Sequence, residues 1–349
     1  MTWTLRGLAG LAALGLALAG WFAWRAYAFL HFPPEEPGRE KIFLIEPGQS
    51  FATVAKNLER KGLVTNAGYF AALALEKRRA SQVRAGEFLL STGFLPERVL
   101  EEITTTSGIL RRAVITEGLT WWQAARVFTE AGLASAEGFR EAAHNATLLA
   151  RHHIPADSAE GYLYPETYMM TRPLANKAQT VVEMQLKEFF KHARQVWPDG
   201  LPEPGEVHRV VILASIVEKE AGDPSERARV AGVFVNRLKR RMPLQADPTV
   251  IYGLGPEFDG NLVKSELTDR DNLYNTYVRP GLPPGPICSP GLVSLAAAAR
   301  PEAHDYLYFV ARGDGTHQFS RTLDEHGRAV RKYQLHRNKK TYRSTPPKP

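Results

Sequence analysis

Two glutamates at the end of one predicted helix are the strongest candidates for chemistry in this sequence. Residues 207–221 are rich in apolar side chains, and Gly222 and Pro224 end the helix, so Glu218 and Glu220 fall in its last turns. A carboxylate near a helix C-terminus opposes the helix dipole, and desolvation also raises a carboxyl pKa. Both effects favour the protonated form near neutral pH, which a general acid requires.

The two glutamates differ in what surrounds them on the helix. The face of Glu218 also carries three small residues, Ala214, Ser215 and Gly222. Their short side chains would leave a groove for a substrate. Glu220 lies about 200° further round the helix, so the two carboxylates cannot form a facing pair. Composition alone favours salt-bridged surface glutamates, and the alternative is that Glu218 is an acid/base catalyst.

Two downstream stretches are dense in polar, aromatic and proline residues, as expected of a rigid sugar-binding cleft. They run over residues 245–253 and 274–287. Amides can bind sugar hydroxyls, and aromatic rings can stack on sugar faces. Loop packing is the better explanation of any one of these residues taken alone. The predicted substrate-binding residues are Gln245, Asp247, Thr249, Tyr252, Asn275 and Tyr277, with Tyr162 and Glu166 from an upstream aromatic block.

In these and neighbouring motifs the chain resembles the endolytic murein transglycosylases, the MltG/YceG-like family. The matching motifs lie at 160–168, 213–220, 233–238, 244–253, 274–277, 281–287, 306–310 and 315–320. The resemblance covers nearly the whole chain. It implies that Glu218, the first glutamate of the helix, is the catalytic residue. Ala246 and Ser289 stand where relatives are expected to carry Thr and Asn, which concerns only fine substrate contacts.

The resemblance implies a lytic reaction that consumes no water and needs no metal or other cofactor. Glu218 would protonate the glycosidic oxygen between N-acetylmuramic acid and N-acetylglucosamine. Its carboxylate would then take the proton of the C6 hydroxyl of the same muramic acid, which attacks C1. The product is a 1,6-anhydromuramic end within a nascent glycan strand, which limits strand length. Glycosidases usually use two carboxylates, whereas this reaction can proceed with one.

The implied partners are peptidoglycan glycan strands and a membrane, with peptidoglycan synthases (penicillin-binding proteins) as candidate protein partners. The formal net charge of +7 fits an anionic partner. Nucleic acid is not expected, because no basic stripe with interleaved aromatic residues recurs along the chain. The single cysteine, Cys288, excludes an intrachain disulfide.

Three alternatives make different demands on the sequence. A metallohydrolase would draw on His304, Asp305, His317 and His326. Their spacing matches no compact metal-ligand motif. A serine acyl-enzyme needs Ser-x-x-Lys, whereas Ser215 is followed by Glu218 at that offset. A non-catalytic, membrane-anchored scaffold that binds peptidoglycan and recruits wall synthases stays open.

The N-terminal segment is predicted to anchor the chain in a membrane. Residues 7–24 carry no charge, a run long enough for a spanning helix. Trp21, Trp24 and Tyr27 suit the far interface, where amphipathic rings settle. Cleavage as a signal peptide is the alternative, since residues 17–19 form an acceptable cleavage pattern. The expected location is the inner (cytoplasmic) membrane, single-pass, with the bulk of the chain periplasmic.

A duplicated unit is predicted between the anchor and the catalytic helix. Residues seventy positions apart coincide: Ile45/Ile115, Gly48/Gly118, Ala55/Ala125, Gly62/Gly132, Leu63/Leu133 and Gly68/Gly138. Each copy has the pattern of a strand, a glycine turn and two helices, the first capped by Ser50 or Thr120. The first copy loosely resembles a LysM module, a small unit that binds N-acetylated glycans.

The predicted fold class is therefore α+β. A cytoplasmic stub and transmembrane helix (1–31) and a proline-rich linker (32–40) precede a LysM-like first repeat (41–105). The second repeat with a connecting helix (106–200) leads to a mixed α/β catalytic domain (206–336). A basic tail (337–349) ends the chain.

Overall fold

The computed structural model describes residues 2–172 and 177–335 of the chain. The predicted basic tail, residues 337–349, lies outside the described residues. The chain divides into two compact units. The first unit comprises residues 1–112 and 169–175, and the second comprises residues 113–168 and 176–349. Most of the predicted second repeat (106–200) thus belongs to the same compact unit as the predicted catalytic domain, whereas residues 106–112 and 169–175 belong to the first unit.

Helix α1 (Thr2–His31) opens the first unit with a segment that is long and apolar enough to cross a membrane. The candidate span is Ala13–His31. Phe29, near the end of the helix, is buried in the core of the first unit, with its ring 5.7 Å from that of Tyr69. Length and composition are compatible with a single-pass membrane anchor or with a signal sequence.

The rest of the first unit is a small α/β layer. Its elements are β1 (Glu40–Ile45), α2 (Phe51–Arg60), α3 (Ala67–Glu76), β2 (Gly86–Ser91) and α4 (Pro96–Thr105). Strands β1 and β2 pair antiparallel, from Glu40 opposite Ser91 to Ile45 opposite Gly86. Leu58 and Phe70 from the two helices and Leu90 from β2 are fully buried between them.

The second unit begins with a similar order of elements. Strands β3 (Leu110–Val114) and β4 (Thr167–Thr171) pair with each other. The boundaries between the first and second units along the sequence fall inside these two strands. Between them lie α5 (Trp121–Glu130), α6 (Ala136–Ala143) and α7 (Ala146–Arg151).

Local conformations also agree between the two segments. Ser50 and Thr120 each accept a hydrogen bond from the backbone N–H three residues later. The glycines that follow the first helix, Gly62 and Gly132, both adopt φ 68°, the left-handed conformation that glycine tolerates. The common origin of the two segments and their likeness to LysM modules stay predictions.

Helix α9 (Pro204–Glu220) is the centre of the second unit. Seven consecutive residues, 211–217, are buried, so the helix is enclosed on all sides. It packs against α10 (Arg227–Lys239), α11 (Asp247–Leu254) and α13 (Leu292–Ala299). Around this core lie α8 (Lys177–Val196), α12 (Lys264–Leu267) and α14 (Leu323–Val330). The burial of α9 holds its C-terminal glutamates in place.

A short hairpin completes the second unit next to α10 and α14. Strand β5 (Tyr308–Ala311) pairs antiparallel with β6 (His317–Ser320), with Ala311 opposite His317. A π-helical turn, Arg331–Leu335, follows α14. The hairpin brings one histidine, His317, to the neighbourhood of the end of α9.

Candidate active site

Glu218 lies in a closed network of the protein's own groups. Its side chain is only 5% exposed. The Arg227 guanidinium donates to Oε1 at 3.0 Å and to Oε2 at 3.3 Å, and the Gly291 backbone N–H donates to Oε2 at 3.0 Å. Both carboxylate oxygens are therefore occupied by donors from the chain itself.

A second carboxylate, that of Glu117, also forms an ion pair with Arg227. Its Oε2 lies 3.6 Å from Nη1 of Arg227. Burial raises the pKa of Glu117, and the nearby charge of Glu218 raises it further. Two backbone hydrogen bonds join the turn that carries Glu117 to Ser289. The Gly118 N–H donates to the Ser289 carbonyl at 2.9 Å, and the Ser289 N–H donates to the Leu119 carbonyl at 2.8 Å. The network thus ties α9 and α10 to the 117–119 turn and the 289–291 segment.

Glu220 faces an open cavity on another side of the helix end. The cavity has a volume of about 570 Å³. Burial raises the pKa of Glu220 to about 7, and the charge of Asp247 acts in the same direction, while Arg237 opposes it. A carboxyl group that titrates near neutral pH can serve as a general acid.

The wall of this cavity is polar and comes from several elements. Its polar residues besides Glu220 are Arg237, Gln245, Asp247, Tyr277, His317, His326 and Gln334. The hydroxyl of Tyr277 donates to Oδ1 of Asp247 at 2.5 Å. Gln245 adopts φ 52°, a left-handed conformation that costs a non-glycine residue about 1–2 kcal/mol. Such strain clusters at functional sites, where the surrounding structure enforces it.

Three of the eight predicted substrate-binding residues come together here: Gln245, Asp247 and Tyr277. Thr249 and Asn275 are fully buried. The Thr249 hydroxyl is within 2.7 Å of the Ala246 carbonyl. The Asn275 amide donates to three carbonyls between residues 266 and 269. These two residues hold the loops that shape the cavity and do not line it.

The other three predicted residues lie away from the cavity. Tyr252 packs against Trp122 and Tyr274, with ring centroids 5.0 and 4.7 Å away, and hydrogen-bonds the buried carboxyl of Glu160. Tyr162 is buried, and its hydroxyl lies 2.9 Å from Nδ1 of His208. Glu166 is exposed beside β4, where it accepts a bond from Thr167 N–H.

The groove expected beside Glu218 is closed where Ala214 and Ser215 lie, whereas Gly222 is exposed. Ala214 and Ser215 are fully buried. The Ser215 hydroxyl accepts a bond from Ile287 N–H at 3.0 Å, and Cys288 packs against the same turn of helix. The small residues on this face therefore allow the 287–288 segment to pack closely, because their short side chains leave it room.

Sequence reasoning missed the partners that give each glutamate its surroundings. Arg227 comes from a helix beyond the turn that follows α9, and nothing in the local pattern indicates that it pairs with Glu218. The sequence analysis named His317 individually only as a candidate metal ligand, and its spacing from the other candidates did not fit a metal site. Its position in the motif 315–320 was the available signal, since polar motif residues far apart in sequence often meet in one site.

An acidic group of raised pKa in a sugar-sized cavity, with amide, tyrosine and carboxylate groups around it, is an arrangement suited to acid/base chemistry. A profile of the YceG-like family matches residues 43–332. This chain belongs to the YceG-like family.

Relatives match over most of the chain. It is 29% identical over 324 residues to the endolytic murein transglycosylase of Bacillus subtilis strain 168, with 88% of this chain and 89% of that protein covered. It is 26% identical over 354 residues to the endolytic murein transglycosylase of Streptococcus pneumoniae serotype 2. That match covers 92% of this chain and 63% of the pneumococcal protein.

A solved structure is similar as well. The crystal structure of a YceG-like protein from Listeria monocytogenes superposes with a TM-score of 0.55 at 29% identity. The match covers 83% of this chain and 99% of the Listeria chain.

Proposed function

We propose that this chain is an endolytic murein transglycosylase that cuts peptidoglycan glycan strands, with Glu220 as its acid/base group. Two relatives that match about nine-tenths of the chain carry that name. The observation that carries the proposal is the position of Glu220 in the cavity, where burial raises its pKa to about 7. A peptidoglycan-binding scaffold would not need such a group.

The proposed reaction begins with proton donation from Glu220. The proton goes to the glycosidic oxygen between N-acetylmuramic acid and N-acetylglucosamine, while the C6 hydroxyl of the muramic acid attacks C1. General acid/base action supplies roughly 10²- to 10⁴-fold in rate. The attacking hydroxyl belongs to the same sugar, and well-oriented intramolecular attack reaches effective molarities on the order of 10⁵ M or more.

Glu220 is proposed in place of Glu218, the residue that the family resemblance indicates. Proton transfer requires that the catalytic group reach the glycosidic oxygen. Both oxygens of Glu218 are bonded to Arg227 and Gly291, and its side chain is almost wholly covered. Glu220 shares a cavity with three of the predicted substrate-binding residues. In this proposal Glu218 is a structural residue.

Substrate contacts follow from the same cavity. Gln245, Asp247 and Tyr277 are proposed to bind sugar hydroxyls and N-acetyl groups, since their polar atoms line it. Thr249 and Asn275 are proposed to act indirectly, through the loops that they hold. Tyr162, Tyr252 and Glu166 are proposed to support the elements around the site.

The location of the enzyme is proposed from α1. A retained helix would place a single-pass anchor in the cytoplasmic membrane and the rest of the chain on the side of the wall. The first repeat, residues 41–105, is proposed as a LysM-like glycan-binding unit, and peptidoglycan synthases are proposed as partners. Each of these statements concerns where the enzyme works and is independent of the chemistry at Glu220.

Digestion of purified sacculi tests the activity. The full chain in detergent is incubated with sacculi, and the soluble products are separated and identified by mass. An endolytic transglycosylase releases fragments with 1,6-anhydromuramic ends, and internal cutting yields long fragments before short ones. A protein that sediments with sacculi and releases no anhydro product is the scaffold instead.

A further inference from the structure

One histidine in the wall of the cavity, His317, is paired with a buried glutamate, Glu226. Glu226 ends the 3₁₀ turn before α10, and His317 begins β6. Nδ1 of His317 lies 2.8 Å from Oε2 of Glu226. The backbone N–H of His317 also donates to both carboxylate oxygens, at 3.1 and 3.0 Å. Three contacts to one carboxylate fix the position of the imidazole.

The geometry determines which nitrogen of His317 is free. A carboxylate only accepts hydrogen bonds, so Nδ1 carries the proton and Nε2 carries the lone pair in the neutral ring. Nε2 makes no hydrogen bond within the described residues, and it is not among their buried unpartnered atoms. The ring lines the same cavity as Glu220 and packs edge-on against Phe309 at 5.3 Å. Nε2 is thus an acceptor available to a ligand.

We infer that His317 is the base that removes the proton from the attacking sugar hydroxyl, and that Glu226 is its positioning residue. This inference rests on the proposed function and divides the acid and base roles between two groups. A carboxylate on Nδ1 holds the ring orientation and stabilises the imidazolium that forms when Nε2 takes a proton.

The reaction needs no co-reactant, because every proton and bonding electron pair comes from the substrate, Glu220 or His317. The protonated Glu220 gives its proton to the glycosidic oxygen, and the C1–O bond pair leaves with that oxygen as a hydroxyl. A lone pair of O6 forms the new bond to C1, and the O6 proton moves to Nε2 of His317. The imidazolium and the Glu220 carboxylate then return to their starting forms by proton exchange through solvent.

Other acceptors in the cavity are less suited to this step. Oδ1 of Asp247 already accepts the Tyr277 hydroxyl. His326 stacks on Tyr308 at 5.2 Å, and its Nδ1 is buried without a partner, so no carboxylate stabilises its charged form. Arg237, across the cavity, is cationic and donates to carbonyl oxygens. His317 alone among these groups combines a free acceptor with a buried carboxylate behind it.

The test compares variants of the full chain in the sacculus assay. His317→Ala is expected to lose about 10²-fold or more in kcat, and added imidazole is expected to restore part of the loss because it supplies the missing base. His317→Asn is the second variant, since its amide can still donate to Glu226 and preserve folding. It is expected to be similarly slow and to gain nothing from imidazole, because the side chain fills the space.

The variant Glu220→Gln distinguishes the proposed acid role of Glu220 from the proposed base role of His317. Imidazole is not expected to restore the activity of this variant, because the missing group is the acid. An active Glu220→Gln enzyme refutes the acid assignment in the proposed function and leaves the His317 result to be judged by itself. A folded His317→Ala protein with more than a tenth of normal kcat overturns the inference. So does a loss confined to KM, or a loss of kcat that imidazole leaves unchanged. Thermal melts verify folding in every case.

Discussion

At the scale of single residues, the surroundings of a side chain decide what it does. Glu218 and Glu220 are two positions apart on one helix and therefore point in different directions. Glu218 accepts hydrogen bonds from the guanidinium of Arg227, whereas Glu220 lines a polar cavity. The same residue type thus forms a buried ion pair at one position, and at the other it lines a cavity where burial raises its pKa.

Glu220→Gln is expected to lower release of anhydromuropeptides from sacculi by about 10²-fold or more, because the amide has no acidic proton to donate. The matched variant Glu218→Gln is expected to keep most of its activity while unfolding at lower temperature. Its amide is a weaker partner for Arg227, a loss of about 1–3 kcal/mol for a buried charged contact. A folded but inactive Glu218→Gln, beside an active Glu220→Gln, would return the catalytic role to Glu218.

The pH dependence of activity should reflect the raised pKa of Glu220. The acid form is present below about pH 7, so kcat/KM is expected to fall as the pH rises above that value. The stability of the fold is expected to change with pH in the same direction, decreasing as the pH rises. The contribution of protonated Glu220 is full below the usual carboxyl pKa of about 4.5 and is lost as the pH rises through about 7.

Urea melts across this range test the stability effect. The wild type is expected to lose more stability than Glu220→Gln between these two pH values. The buried carboxyl of Glu160, whose pKa burial also raises to about 7, titrates in both proteins and cancels in the comparison. Equal pH dependence in the two proteins would contradict the assignment of a raised pKa to Glu220.

At the scale of elements, close packing around α9 holds the site together. Gly161 in the aromatic block adopts φ 82°, and a methyl group there would lie 2.5 Å from Pro286 and 2.7 Å from Val211. The turn that contains Gly161 therefore packs directly onto α9 and onto the loop that contains Pro286. A small residue at this position allows three segments distant in sequence to meet.

Gly161→Ala is expected to destabilise the second unit by more than about 2 kcal/mol, because it combines backbone strain with overpacking. Gly255→Ala is the matched control. Gly255 has nearly the same φ, 83°, but no atom within 4 Å of the added methyl group. Its cost should be near 1 kcal/mol, from strain alone. Urea denaturation measures both values, and equal costs would show that packing at Gly161 is looser than the structure indicates.

At the scale of the whole molecule, α1 would bring an enzyme for wall glycan to the membrane at which new strands are made. The C-terminal end of α1 is buried in the first unit through Phe29, so the helix is continuous with folded protein. A cleavage after residue 19 would remove more than half of the helix. It would leave Phe29 in place, so packing alone does not require the anchor to be retained.

The anchor is expected to be retained. Sequencing of the N-terminus of the protein extracted from membranes is expected to give the intact start of the chain, because the span Ala13–His31 is continuous and apolar. A mature chain that begins at Gly20 would contradict this expectation and identify the segment as a signal peptide.

Local patterns in the sequence determined much of this protein. The apolar run at the N-terminus and the helix that ends in Glu218 and Glu220 follow from spacing and composition. The motifs between 213 and 320 were identified by their resemblance to a known family. The caps Ser50 and Thr120 also follow from spacing, because capping depends on residues within one turn of helix. These features are local in the chain and need no knowledge of distant contacts.

Only the tertiary structure decided which glutamate faces the cavity. Arg227 covers Glu218, while Asp247, Tyr277 and His317 come to the cavity of Glu220 from three other segments. The groove predicted beside Ala214, Ser215 and Gly222 is closed at Ala214 and Ser215 for the same reason, since a loop 72 residues away packs against this part of the helix. A pKa depends on the burial and charges around a group, and those surroundings are made by long-range packing that local periodicity does not encode.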